Sequence, residues 1–249
     1  MRKTLLLVAL FLLAAPAPLW AVETVKSPLV EEGLLEFEQK GKLQNDRDPT
    51  QNDEKEFEFN AAYGVTQRWK TKVEAVFEQK RSDRFHYKGF KWENIFNLNG
   101  KDVQNEVVFG LYQDIFISNY PNNTHNLTFG LLARRDFGKL VNLGNLYVRR
   151  DFGDTENSGV RLQYRWMSKY SVQPWAEPGF EVMGDTQQKE KFRNQGLMIG
   201  PALYGNLSSL GLKGVSYELG YLIGVTPANR DSTFKWKLKY AVPIGEIFS

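Results

Sequence analysis

Strict alternation of apolar and polar side chains is the feature that most constrains this chain. Between positions 56 and 65, Phe57, Phe59, Ala61, Tyr63 and Val65 alternate with charged, polar or small residues. A period of two describes an extended strand with one apolar face and one water-facing face. The pattern recurs along the chain. It therefore predicts an all-β fold, a single antiparallel transmembrane β-barrel with lipid outside and water inside.

The first residues have the three parts of a secretory signal. Arg2 and Lys3 precede an apolar run from Leu5 to Leu13, and small residues and prolines then lead to Ala21. We expect positions 1–21 to be a signal peptide and positions 22–249 to be one barrel domain. Such a signal predicts export across the inner membrane of a Gram-negative bacterium and insertion into its outer membrane.

Composition excludes several other classes of protein. The 32 basic and 29 acidic residues nearly balance, and more closely without Arg2 and Lys3, so no electrostatic basis for nucleic-acid binding exists. The chain has no cysteine, which excludes disulfides and thiolate metal sites. A mean hydropathy of −0.44 excludes a helical membrane protein but is normal for a barrel. We expect no cofactor and no metal.

Twelve strands are predicted, joined by short periplasmic turns and longer extracellular loops. Tight turns are expected at positions 66–67, 138–139 and 168–169. A change of parity between Tyr87 and Phe90 predicts a β-bulge at positions 88–89. The seventh strand is apolar on both faces and cannot be oriented from its sequence. The predicted strands are 33–43, 54–65, 68–80, 85–98, 103–117, 126–137, 140–152, 159–167, 170–183, 195–207, 213–225 and 232–244.

Opposite charges on the water-facing sides predict how neighbouring strands meet. Glu36 and Glu38 of the first strand would face the lysines of the last one, as closure of an even-stranded barrel requires. Arg161 and Arg165 would lie beside Glu177 and Glu181, and Glu56 and Glu58 beside Lys70 and Lys72. Each such pair contributes about 0.2–1 kcal/mol. The predicted pore-lining residues are Lys70, Lys72, Arg134, Arg161, Arg165, Lys235, Lys237, Lys239, Glu56, Glu58, Glu177, Glu181 and Glu218.

The chain resembles Gram-negative outer-membrane β-barrel proteins. The resemblance rests on the signal peptide, on the turn Tyr63-Gly64-Val65-Thr66-Gln67-Arg68-Trp69 and on the aromatic, alternating last strand. Its size and strand count also resemble the small oligogalacturonate- and sialic-acid-type porins, which carry acidic sugars past arginine tracks. That resemblance implies a track containing Arg134, Arg161 and Arg165.

Three functions are consistent with these patterns. The leading interpretation is a porin-like channel for passive diffusion of small hydrophilic solutes between opposed basic and acidic walls. The second is a closed structural or surface-interaction barrel without conductance. The third is an outer-membrane lipid-modifying enzyme that uses His86 or His125, although no residue spacing predicts a catalytic site. The expected partners are outer-membrane lipid, lipopolysaccharide, the barrel-assembly machinery and an unspecified hydrophilic solute.

Overall fold

The computed structural model describes residues 24–47, 54–80, 84–99, 106–120, 124–153, 159–186 and 195–247. The predicted signal peptide lies outside these residues. Twelve strands form one closed antiparallel barrel, and β1 pairs with β12 to complete it. This arrangement confirms the predicted fold class.

The strands follow one another around the barrel in chain order. They are β1 (Leu34–Asn45), β2 (Glu54–Thr66), β3 (Trp69–Lys80), β4 (His86–Asn97), β5 (Val108–Ser118), β6 (His125–Phe137), β7 (Leu140–Phe152), β8 (Gly159–Tyr170), β9 (Glu177–Asp185), β10 (Gly196–Asn206), β11 (Val215–Gly224) and β12 (Ser232–Pro243). A short 3-10 helix (Leu207–Leu210) joins β10 to β11, and a short helix α1 (Ile244–Ile247) follows β12.

Alternation along each strand separates an apolar outer surface from a polar interior. In β5, Tyr112 and Asp114 are buried while Phe109 and Leu111 are exposed. Most of the large exposed apolar side chains, such as Phe129 in β6, lie on outward-facing positions like these. The outer surface therefore has the chemistry of a lipid-facing belt. In the described part of the chain, no helix is long and apolar enough to cross a membrane.

The predicted bulge in β4 is confirmed. Val76 pairs with Gly89 and Phe77 pairs with Tyr87, so Lys88 is the extra residue opposite β3. The bulge changes which residues of β4 face inward, as the change of parity in the sequence requires.

The tight turn predicted at positions 168–169 is wrong. Strand β8 continues to Tyr170, which pairs with Leu140, and the turn before β9 occupies residues 171–176. Strand β7 begins at Leu140, after the turn residues Gly138 and Lys139, and its first residues pair with the extended end of β8. Pro174 accordingly lies in the turn, and the predicted ninth strand is too long at its start.

The residues before β1 lie inside the barrel and form no part of its wall. Val25 packs among inward-facing side chains of β7 to β11, and Val30 packs against inward-facing side chains of β4 to β7. We call residues 24–32 the N-terminal segment. The sequence did not predict that any segment fills the interior.

Candidate functional site

One side of the barrel interior, formed by β1 to β4, carries a network of buried ion pairs. Lys40 Nζ lies 2.5 Å from Glu58 Oε2 and 2.9 Å from Glu74 Oε2. Lys72 Nζ lies 3.1 Å from Glu74 Oε1 and 3.0 Å from Glu93 Oε1. Lysines and glutamates alternate in this network, so each buried charge has an opposite charge beside it.

A second network joins β9, β11 and β12. Lys235 Nζ lies 2.7 Å from Glu218 Oε1 and also forms an ion pair with Glu181. Lys237 Nζ lies 2.7 Å from the other Glu218 oxygen and is more exposed than Lys235. Both glutamates are buried, and the charge of Glu181 is compensated by Lys235 and by a hydrogen bond from the Tyr204 hydroxyl.

The predicted ion pair across the closing seam is present in part. Lys239 of β12 lies 2.9 Å from Glu36 of β1, and Lys70 of β3 lies 3.2 Å from the same carboxylate. Among the described residues, the ion-pair partners of Lys235 and Lys237 are Glu181 of β9 and Glu218 of β11.

Two sets of predicted pairs are wrong. Glu56 and Glu58 lie opposite Glu78 and Val76, since a tight turn at Gln67 places them at the far end of the hairpin from Lys70. Glu56 pairs instead with Lys88 of β4.

The longer β8 changes the register between β8 and β9, so the predicted pairs of Arg161 and Arg165 with Glu177 and Glu181 are wrong as well. Arg161 forms ion pairs with Asp151 and Asp185, while Glu177 pairs with Lys169.

The opposite side of the interior contains a buried apolar and aromatic cluster. This cluster contains Leu143, Met167, Met183, Ala202, Tyr204 and Leu222, and Val25 of the N-terminal segment completes it. Next to this cluster, Tyr147 is 1% exposed and meets Tyr112 edge-on, with ring centroids 5.1 Å apart. The network of β1 to β4 therefore faces a side on which an apolar cluster lies beside the second charged network of Glu181, Glu218 and Lys235.

Polar side chains of the wall hold the backbone of the N-terminal segment. The Lys26 N–H donates to Asn145 Oδ1 at 2.7 Å, and Asn145 Nδ2 donates to the Lys26 carbonyl at 2.9 Å. Arg165 donates to the Thr24 carbonyl at 3.3 Å, and its guanidinium stacks 4.5 Å from the centre of the Tyr147 ring. The Lys26 ammonium forms an ion pair with Glu93 and so joins the charged network.

Two glycines of the wall make room for the segment. A Cβ atom on Gly110 would lie 2.8 Å from Cβ of Pro28, and one on Gly64 would lie 1.8 Å from the Glu31 carbonyl oxygen. Neither distance is tolerated by a real side chain. Because glycine has no side chain, these two positions let the segment lie close to the wall.

The N-terminal segment divides the interior into chambers. Towards the end that we expect to be extracellular lie cavities of about 220 Å³, bordered by Thr24 and Lys26, and about 410 Å³, bordered by Lys42, Lys88 and Arg161. Towards the other, expected periplasmic end lies a cavity of about 700 Å³ between the segment and the ends of β1, β3, β6 and β12.

The three predicted track arginines border three different cavities. Arg161 borders the 410 Å³ cavity, Arg165 the 220 Å³ cavity and Arg134 the periplasmic one. Arg134 forms a two-point interaction with Asp136, at 3.0 Å and 2.6 Å. All thirteen predicted pore-lining residues lie on strands of the barrel. Their role in conduction remains a prediction.

The two histidines lie at the extracellular ends of β4 and β6. His125 Nδ1 accepts a hydrogen bond from the backbone N–H of Ser118 at 3.0 Å, and its ring lies 5.6 Å from that of Phe152. His86 is exposed. Within the described residues, no group of three or more histidine, aspartate or glutamate side chains could hold a metal ion.

Solved structures with the same architecture are outer-membrane channels. An outer-membrane channel from Pseudomonas putida F1 superposes with a TM-score of 0.63 at 10% identity, covering 88% of this chain and 98% of that one. The KdgM porin has a TM-score of 0.54 at 10% identity, covering 82% and 98%. The chain has the fold of an outer-membrane porin-type barrel.

Further comparisons add a second porin but no sequence relative. The NanC porin has a TM-score of 0.54 at 9% identity, covering 82% of this chain and 98% of that one. No protein-family profile and no curated protein matches the sequence. At these identities the likeness establishes the fold alone.

Sequence reasoning missed the N-terminal segment, although one signal for it was present. Strand β7 is apolar on both faces because Leu143 faces inward to contact Val25, while Leu146 and Val148 are exposed on the outer surface. An inward apolar face in a water-filled barrel needs an apolar partner. The segment is that partner.

Proposed function

We propose that this chain is an outer-membrane channel for passive diffusion of small hydrophilic solutes, and that the N-terminal segment closes it at rest. The observation that carries the proposal is the interior itself, in which polar cavities at both ends are separated by one extended segment. Side chains of the wall hold that segment. Within the described residues, the first hydrogen bond between this part of the backbone and the wall backbone is made by Gly33, directly after the segment. Withdrawing it would join the cavities without breaking the sheet.

The charges of the interior support a solute of balanced charge. Replacing a buried ion pair by apolar packing is often neutral or even stabilising, so these pairs are weak evidence for a purely structural role. A channel benefits from such pairs, because opposed acidic and basic walls interact with dipolar solutes and replace their hydration shells. The KdgM porin has been solved with oligogalacturonate. The balanced interior proposed here, with Arg134 held by Asp136 and Arg161 by Asp151, favours neutral or zwitterionic solutes over acidic sugars.

Location and partners follow from the same proposal. The apolar outer belt would contact outer-membrane lipid and lipopolysaccharide, and the barrel-assembly machinery would insert the strands. Export would depend on the predicted signal peptide.

The experiment is conductance in a planar bilayer under a salt gradient, on protein shown to be folded by a heat-dependent gel shift. Discrete, ohmic steps with a reversal potential near zero would support the proposal. Strong selectivity for either ion would contradict the balanced lining, and a barrel that stays silent after the segment is released would contradict the channel.

The second candidate is a closed barrel without conductance. It is favoured by the central network of Lys40, Lys72, Glu74 and Glu93, which together with Lys26 fills much of the interior at one height. In that case the extracellular loops would carry the function. An enzyme is the third candidate, and lipid-modifying activity that survives both His86→Ala and His125→Ala would exclude a histidine mechanism.

A further inference from the structure

The wall holds the N-terminal segment as a binding site holds a peptide. Asn145 offers one acceptor and one donor, and both are used by the N–H and the carbonyl of the same residue, Lys26. A neighbouring strand offers the same pair of groups to an extended chain. Because only backbone atoms are contacted, this part of the recognition suits any extended peptide.

The Asn145 side chain is fixed before any peptide arrives. Its Oδ1 also accepts from the Tyr147 hydroxyl at 3.0 Å, and its Nδ2 also donates to the Gly144 carbonyl at 2.9 Å. Tyr147 in turn packs between Tyr112 and the Arg165 guanidinium. A group held on several sides loses little freedom on binding, which favours affinity.

Two neighbouring pockets select the side chains. Val25 enters the apolar cluster that includes Leu143, Met167 and Leu222. Lys26 points the other way and pairs with Glu93, with its ammonium 5.4 Å from the centre of the Tyr112 ring. Successive residues of an extended chain point in opposite directions, so the site accepts an apolar residue followed directly by a basic one.

The site borders the cavities at the extracellular end of the barrel. Thr24 and Lys26 line one side of the 220 Å³ cavity, whose other walls include Asp114, Asn126 and Gln163. A solute in that cavity would meet the site first. The segment therefore occupies the place at which an incoming peptide would dock.

We propose that the wall around Asn145, Glu93 and the apolar cluster is a binding site for short extended peptides that carry a small aliphatic residue followed by lysine or arginine. The N-terminal segment occupies this site as a built-in competitor. That such peptides are the transported solutes rests on the proposed function. Peptide binding itself does not require that the barrel conducts.

The test uses full-length protein in which the segment is expelled. Val25→Asp with Lys26→Glu places one carboxylate in the apolar cluster and another beside Glu93, while the wall is unchanged. A tethered segment acts at an effective concentration in the millimolar range, so the wild type is a poor starting point for binding a free peptide. A heat-dependent gel shift shows that the variant is folded.

The probe is a fluorescent peptide of sequence Thr-Val-Lys-Ser-Pro, blocked at both ends, with binding followed by anisotropy. We expect saturable binding that weakens at least tenfold with the peptide Thr-Val-Glu-Ser-Pro. Adding Asn145→Ala to the protein should weaken binding at least tenfold, because two hydrogen bonds are lost. The matched control is Asn60→Ala, which removes a buried interior amide that makes no hydrogen bond.

Three results would overturn the inference: no binding to the folded variant, equal affinity for both peptides, or equal effects of Asn145→Ala and Asn60→Ala. A variant that conducts ions but binds no peptide would remove this inference and leave the proposed function. A variant that binds peptide but never conducts would remove the proposed function and leave the site.

A second measurement avoids the expelling substitutions. Because the chain has no cysteine, Ser27→Cys gives a unique site for a nitroxide label in the segment. Thr-Val-Lys-Ser-Pro peptide, added well above the millimolar effective concentration of the tethered segment, should make the label more mobile, while the glutamate peptide should not. An unchanged spectrum at saturating peptide would contradict competition for one site.

Discussion

Lys26 and Glu93 form an ion pair between the N-terminal segment and the barrel wall, and 67 residues separate them in the chain. Both side chains are almost fully buried. Since Glu93 also pairs with Lys72 at 3.0 Å, the segment is connected through it to the charged network of β1 to β4.

The Lys26–Glu93 pair should show energetic coupling. We expect Lys26→Met and Glu93→Gln each to destabilise the folded barrel, and the double variant to be more stable than the two separate losses imply. Contacting charged residues typically couple by about 0.5–3 kcal/mol. Urea unfolding in phospholipid vesicles measures the four free energies, and strictly additive losses would show that the segment is not held by this pair.

A side chain at Gly110 should displace the segment, although its Cβ would also lie 3.1 Å from the Phe96 carbonyl oxygen of the wall. Gly110→Ala places a Cβ 2.8 Å from Cβ of Pro28, whereas Gly144→Ala places one in open space. With a cysteine at Ser27, we expect the rate of maleimide labelling to rise several-fold in the Gly110 variant and to stay unchanged in the Gly144 variant. Equal rates in both would show that Gly110 does not position the segment.

How much of the fold and of the interior could be predicted from the sequence depends on how far apart in the chain the interacting residues lie. Alternation around Phe57 to Val65 and the parity change before Phe90 are local, so they predicted the strands and the bulge. The pairing of Glu56 with Lys88 depends on register across two hairpins, which charge patterns alone do not determine.

The N-terminal segment could not be predicted for a different reason. Residues 24–32 have no period and read as a linker, and their partners lie far along the chain, such as Asn145 at a separation of 119 residues from Lys26. In the sequence, the apolar inner face of β7, at Leu143, pointed towards an occupant.

Gly130 should be required for the packing of Tyr147. A Cβ at Gly130 would lie 2.4 Å from Cδ1 of that ring, which is buried and cannot move freely. Overpacking of this kind costs about 1–3 kcal/mol, so Gly130→Ala should lower the free energy of unfolding by that amount. Gly144→Ala is the matched control, and an equal, small effect of both substitutions would contradict the packing described for Tyr147.

Lys235 should matter more for stability than Lys237, although both contact Glu218. Lys235→Met leaves the buried Glu181 carboxylate without its ion-pair partner, which typically costs about 3–5 kcal/mol. Lys237 is more exposed, and Glu218 keeps Lys235 when it is removed, so we expect a loss of about 1 kcal/mol or less. Unfolding of both variants in urea gives the comparison, and equal losses would show that burial does not distinguish the two lysines.

The most direct test of the central claim is single-channel conductance of the wild type against the variant with Val25→Asp and Lys26→Glu, both shown to be folded by the gel shift. If the segment closes a channel, the wild type should be silent or open rarely, and the variant should show frequent, discrete steps that scale with salt. A folded variant that remains as silent as the wild type would contradict the account and favour a closed barrel.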